Sequence, residues 1–267
     1  GLVGSEMCIR DRGMGMFGQG FVGKLAFPSA NVSDRLEKTF TSVNFNMMIM
    51  VIYALITIAI FGMWYYARYE GNFLPSPKKT FNPMMIVAIV ILVPGTQFAA
   101  NFIANLTGYI RPDWLQQYNE LFETSGITDT TFVTVLYSVI LAPICEELIF
   151  RGVTMRCARK ALPFALANLM QAALFGLFHL NWIQGIYAFA LGIVLGYVCE
   201  RGGSIYYSMG LHLLFNLWGT LSGFFPDPGN SVVVSVIVIA VTIVSLTAGF
   251  VLFNKGRRKL PINSTGI

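Results

Sequence analysis

The chain has 267 residues, of which 55% are hydrophobic and only 12% charged. A soluble domain carries roughly 25% charged residues, so a globule of this composition could not cover its surface with polar side chains. Four Cys exclude a disulfide scaffold of this length, and 22 Phe with 11 Tyr exclude a disordered chain. The formal charge of +5 does not point to nucleic acid, because the basic residues sit between apolar runs, where they orient a chain in a bilayer. The expectation is an all-α, polytopic membrane protein of about seven spans, with a polar cavity among the central helices.

Residues 1–13, GLVGSEMCIRDRG, do not match the rest of the chain. They resemble translated sequencing adapter and are expected to be an artefact outside the fold. Residues 14–44 read as an N-terminal arm with a short interfacial segment around Ser33–Lys38. The bundle is expected over 45–254, followed by a basic tail over 255–267.

A transmembrane helix needs about 20 mainly apolar residues. The first such run is 45–67, with Trp64, Tyr65 and Tyr66 forming an interfacial belt. The second, 83–106, contains Pro94 and Gly95 and is expected to kink there. A loop over 107–130 has room for a short amphipathic helix around Trp114–Phe122. Further spans are expected at 131–158, 163–180, 183–199, 205–224 and 231–253. Gly192 and Gly196 form a GxxxG element in the fifth, suited to close helix packing.

Loop charges set the orientation. One side holds Arg68, Lys78, Lys79, Arg156, Arg159, Lys160, Arg201, Lys255, Arg257, Arg258 and Lys259. The other side, past the arm, holds only Arg111 among basic residues, together with Asp113, Glu120, Glu123, Asp129 and Asp227. Lys and Arg collect on the cytoplasmic side, so the C-terminus is expected inside and the N-terminus outside. The expected location is a bacterial cytoplasmic membrane.

The informative residues are polar groups inside apolar runs, where each ionisable side chain costs several kcal/mol. Glu146, Glu147, Arg151, His179, His212 and Asn216 all fall there, and the two His are the only ones in the chain. Glu147 and Arg151 are four apart and can pair on one helix face. Glu146 lies about 100° round the helix and is free to face the bundle interior. A carboxylate so placed can take a proton from water and return it to a leaving amine. His212 and Asn216 also share a face, and His179 comes from a separate helix. No Ser or Cys nucleophile belongs to the set, which disfavours a covalent acyl-enzyme.

These residues fall in three motifs, EELIFR from Glu146, FGLFH ending at His179, and HLLFN from His212. In order and spacing they resemble the CPBP family, the CAAX proteases and bacteriocin-processing enzymes also called Abi, over about 130–222. The resemblance implies an intramembrane endopeptidase acting on a membrane-associated peptide or protein. By the motif positions, Glu146 is the general base, His179 helps hold the water, and His212 with Asn216 stabilises the oxyanion. Glu147 and Arg151 support and orient, and Phe175 packs. Zinc held by Glu146, His179 and His212 is the alternative to a glutamate-type hydrolase without a tightly bound metal. Two other classes stay open: a non-catalytic scaffold or bacteriocin-immunity factor, and a proton-coupled transporter. Straight upright helices would stagger these groups in depth, so tilt, a kink at Pro143 or a deep loop at 159–163 is needed to align them.

Overall fold

The computed structural model describes residues 34, 43–69, 82–125, 131–222 and 231–257. The stretch 1–13, nearly all of the arm, Lys78, Lys79, Asp129, Asp227 and the tail beyond Arg257 lie outside the described residues. The chain divides into two units, Gly1–Ile52 and Tyr53–Ile267. Of the first, the structure describes Asp34 and the beginning of a helix. The motif residues and the helices that carry them all lie in the second.

Among the described residues there are eight helices and no strand. They are α1 (Val43–Tyr69), α2 (Pro83–Ile110), α3 (Pro112–Ser125), α4 (Phe132–Arg159), α5 (Phe164–Phe178), α6 (Trp182–Gly202), α7 (Ile205–Ser222) and α8 (Val232–Gly256). The all-α expectation holds. Five helices, α1, α2, α4, α6 and α8, are long and apolar enough to cross a membrane, where the sequence suggested seven spans. The two that fall short do so for different reasons. Helix α5 has 15 residues, about 22 Å at 1.5 Å per residue, against about 30 Å of hydrocarbon. Helix α7 has 18 residues, but its apolar run is diluted by Ser208, His212 and Asn216.

The hydrogen-bond ladder of α2 opens at Pro94. Proline lacks an N–H and its ring crowds the carbonyl four residues back. Ser245 of α8 fills the gap: its hydroxyl accepts from Gly95 N–H at 2.8 Å and donates to the Ile91 carbonyl. Gly95 is required for this approach, since a Cβ there would lie 2.6 Å from Ser245 Oγ. Gly249, one turn further along α8, lets Leu92 in equally close. Helices α2 and α8 thus form the most extensive helix pair of the bundle. At the other end of this pair one residue ties three helices. Asn82 caps α2 by accepting from Met84 N–H, donates to the Gly256 carbonyl at 2.6 Å, and gives its own N–H to Tyr207 Oη.

Helix α4 is not a regular α-helix. Its π-helical stretches, Leu136–Leu141 and Leu148–Met155, lie on either side of the α-turn Ala142–Glu147. Such insertions widen the helix, re-aim side chains and recur at functional sites. Helix α3 is the amphipathic helix expected in the long loop. Trp114 stacks on Trp182 of α6 at 5.3 Å, with the Arg111 guanidinium over its ring. Arg111 also pairs with Asp113 at 2.7 Å, which holds that exposed carboxyl below the usual carboxylate range. Burial raises the Tyr118 hydroxyl on the same helix.

Helices α5 and α6 cross closely because both contact points are glycine. A Cβ on Gly176 would lie 2.5 Å from the Gly185 carbonyl, and one on Gly192 3.1 Å from Ala172 and Phe175. The turn between them holds Leu180 at φ 53°, its side chain fully exposed, before Asn181 caps α6 through Gln184 N–H. Beside this turn lies an apolar groove of about 520 Å³ lined by Gly176, Leu177, Leu180, Trp182, Gly185 and Phe189. None of the motif polar residues lines it, so it is not the polar cavity expected among the central helices.

Candidate active site

The α-turn between the two π stretches presents Glu146 and Glu147 on different faces. Glu147 is fully buried, and so is Arg151. Their ion pair, Arg151 Nη1 to Glu147 Oε1 at 2.8 Å, follows the i,i+4 spacing. Two charges in a low-dielectric interior survive only if paired and hydrogen-bonded. The pairing is complete and the hydrogen bonding partial: Glu147 Oε2 and Arg151 Nε are buried without a hydrogen-bond partner among the described residues. Arg151 Nη2 donates to the Gly192 carbonyl at 3.3 Å, and its guanidinium carbon lies 4.5 Å from the Phe175 ring centroid. Glu147 Oε1 accepts a second bond from His212 Nδ1 at 3.0 Å.

That second bond assigns the His212 ring. A carboxylate only accepts, so Nδ1 carries the proton and Nε2 points the other way. Nε2 lies 3.6 Å from Glu146 Oε2. Glu146 is the partly accessible member of the pair, at 16% side-chain exposure against 0% for Glu147. The result is a chain of polar contacts, Arg151 to Glu147 to His212 to Glu146, running from the buried interior toward the accessible carboxylate.

His179 ends α5 and its Nδ1 donates to the Phe175 carbonyl at 2.8 Å, which leaves Nε2 with a lone pair. The Phe175 ring is the common neighbour: the His179 ring centroid is 5.0 Å away, that of His212 5.7 Å, both edge to face. Phe150 closes the cluster against Phe175 and Phe178. Phe175 is therefore more than filler, since it supports the guanidinium and separates the two imidazoles.

Asn216 is positioned by the irregularity of α4. In the first π stretch, Ala142 N–H bonds Tyr137 O, five residues back. The next residue, Pro143, has no N–H, so the Ser138 carbonyl is stranded in the bundle. Asn216 Nδ2 donates to it at 2.8 Å. The structure thus links four of the six predicted residues, Glu146, Glu147, Arg151 and His212, directly. His179 joins through Phe175, and Asn216 through the backbone of α4.

Among the described residues, no group of three or more His, Cys, Asp or Glu side chains is gathered as metal ligands. Glu146 and His212 approach each other, but His179 does not complete a set with them.

Sequence reading missed two residues here. Asn168 and Gln171 are buried on α5, and both reach the backbone of α6. Asn168 Nδ2 donates to Ile193 O at 3.0 Å, and Gln171 Nε2 to Gly192 O at 2.9 Å and Asn168 Oδ1 at 2.7 Å. Their signal was their register: positions 168, 171, 175 and 179 fall on one helical stripe.

The apolar helices thus carry a buried ion pair, a buried imidazole and a partly accessible second carboxylate in one connected set. Residues 128–218 match the family of Rce1-like type II CAAX prenyl endopeptidases. That match covers about a third of the chain and contains all six motif polar residues, so the CPBP/CAAX resemblance read from the motifs holds. It indicates a peptidase. No curated protein and no solved structure matches the chain.

Proposed function

We propose that this protein is an intramembrane endopeptidase that hydrolyses a peptide bond of a membrane-associated peptide or protein. The observation that carries the reading is the contact chain from Arg151 through Glu147 and His212 to Glu146. The family match supports the peptidase class; the contact chain supports water activation by a carboxylate. Glu146 takes a proton from water as the water oxygen bonds to the scissile carbonyl carbon. The carbonyl π electrons move onto its oxygen. His212, held by Glu147 through Nδ1–H, turns Nε2 toward that oxyanion and donates to it when both ring nitrogens carry a proton. His179 Nε2 accepts from the second O–H of the water. Collapse of the intermediate breaks the C–N bond as Glu146 returns its proton to the leaving amine. A carboxylic acid and an amine result, with no covalent enzyme intermediate.

In this reading α5 and α7 complete a seven-span bundle in a bacterial cytoplasmic membrane, C-terminus inside. Their polar stripes face the shared interior rather than lipid. Asn216 supports the oxyanion site through its place on the His212 face of α7, with one amide N–H held by Ser138. The substrate is a lipid-linked or leader-type peptide. The test is cleavage of a panel of such peptides by purified protein in lipid nanodiscs, wild type and Glu146→Gln, with and without a chelator. Cleavage lost in Glu146→Gln, with the fold kept, is the expected result. Cleavage that survives Glu146→Gln refutes the role of Glu146, and loss on chelation alone restores the zinc alternative. A wild type that cleaves nothing but drives proton-coupled flux in liposomes makes it a transporter; one that does neither makes it a scaffold or immunity factor.

A further inference from the structure

The GxxxG element of α6 and the two buried amides of α5 have no part in the reaction as written, yet they meet its machinery at one atom. The Gly192 carbonyl accepts from Gln171 Nε2 at 2.9 Å and from Arg151 Nη2 at 3.3 Å. Gln171 is fully buried and is itself steadied by Asn168 Oδ1 at 2.7 Å. Asn168 is anchored in turn on the Ile193 carbonyl. The glycines make this possible. A Cβ on Gly196 would overlap Asn168 Oδ1 and lie 2.7 Å from Gln171 Nε2. A Cβ on Gly192 would press Phe175, whose ring carries the Arg151 guanidinium.

We propose that Gln171 is a positioning residue of the catalytic centre, acting through the Gly192 carbonyl that it shares with Arg151. The inference rests on the endopeptidase reading and deepens it. Arg151 meets Glu147 through Nη1 while its Nη2 is anchored on a backbone atom of α6. Gln171 fixes where that atom lies relative to α5. The order of control runs from Asn168 to Gln171, through Gly192 to Arg151, then to Glu147 and the His212 ring. The FxxxH stripe of α5 therefore extends two turns toward the helix start, to Gln171 and Asn168, and the GxxxG element is the surface they grip. Packing alone explains two close glycines; it does not explain two buried amides spent on carbonyls beside the ion pair.

The test uses Gln171→Met, which keeps length and volume but removes the amide. It has two readouts. The chain contains two His, so ¹⁵N-histidine labelling of the full-length protein in nanodiscs reports the tautomers of His179 and His212 directly. In the wild type His212 gives the signature of a ring protonated at Nδ1. In Gln171→Met at the same pH, the His212 signature becomes a mixture of tautomers while that of His179 stays. On a cleaved peptide, kcat falls on the order of tenfold to a hundredfold, as for slight misplacement of a catalytic group, with KM within about twofold. Ser245→Ala, a comparable lesion at the α2–α8 contact, leaves the His212 signature and kcat at wild-type values. An unchanged His212 signature in folded Gln171→Met overturns the proposal, as does a loss confined to KM, or Ser245→Ala moving His212 equally. If Gln171→Met does not fold, Asn168→Ala decides by the same readouts, with a smaller effect of the same sign expected. Should the wild type cleave no peptide, the endopeptidase reading fails on that result, and the tautomer measurement still decides the role of Gln171.

Discussion

Replacing Arg151 by Met keeps most of the side-chain volume and removes the charge. Three contacts go with it: the 2.8 Å ion pair to Glu147, the bond to the Gly192 carbonyl, and the guanidinium over Phe175. What remains is a fully buried carboxylate held by the hydrogen bond from His212. Breaking one side of a buried ion pair costs about 3–5 kcal/mol. An unfolded chain within the bilayer finds substitute partners. That lowers the figure, so the expected loss is about 3 kcal/mol, the bottom of that range. The companion variant is Glu147→Gln with Arg151→Met, in which no charge is left behind; its loss is expected to be smaller than that of Arg151→Met alone. The assay is unfolding in mixed micelles followed by tryptophan fluorescence, with the two singles and the double forming a thermodynamic cycle. A double variant less stable than Arg151→Met, or an Arg151→Met cost under about 1 kcal/mol, would refute the claim that burial makes these two charges interdependent.

Three further outcomes are expected. Asn216→Leu strands the Ser138 carbonyl and lowers stability by about 1–3 kcal/mol; adding Pro143→Ala, which supplies an N–H to that turn, recovers part of the loss in the same unfolding assay. Gly196→Ala drives a methyl into the Asn168 amide and costs about 1–3 kcal/mol, whereas Gly210→Ala, where a Cβ meets nothing within 4 Å, is near neutral. The third concerns pH. Pairing with Arg111 lowers the folded-state pKa of Asp113, so its contribution is present above the unfolded value near 4 and lost as pH falls through the lowered one. Trp114 fluorescence should therefore change only below about pH 4, and Asp113→Asn should abolish that change with little effect at neutral pH.

Much of the helical layout was readable in advance. Apolar run length located α1, α2, α4, α6 and α8 to within a few residues, and the polar residues in the apolar runs marked the centre. The i,i+4 spacing correctly paired Glu147 with Arg151. Other features escaped for physical reasons. A π stretch leaves no trace in hydrophobic periodicity here, because Leu136–Leu141 is mostly apolar and reads the same in either geometry. The partner of Asn216 could not be named without knowing that Tyr137, not Ser138, receives the Ala142 N–H. Gln171 and Asn168 looked like ordinary polar residues in an apolar helix, since their partners include main-chain atoms, which have no residue identity to read. The role of Glu147 in orienting His212 depends on a contact 65 residues away in sequence.

The hydroxyl that Ser245 lends to α2 has an implication for how this chain can be shortened or rearranged. The last helix has no motif and resembles a detachable anchor, but it completes a rung of another helix. Sliding it by one turn, or cutting it away, would remove that bridge and require α2 to close the Gly95–Ile91 rung by itself next to Pro94. A shortened chain that keeps α2 is therefore best cut so that α8 stays with it, even though the family match ends before that helix.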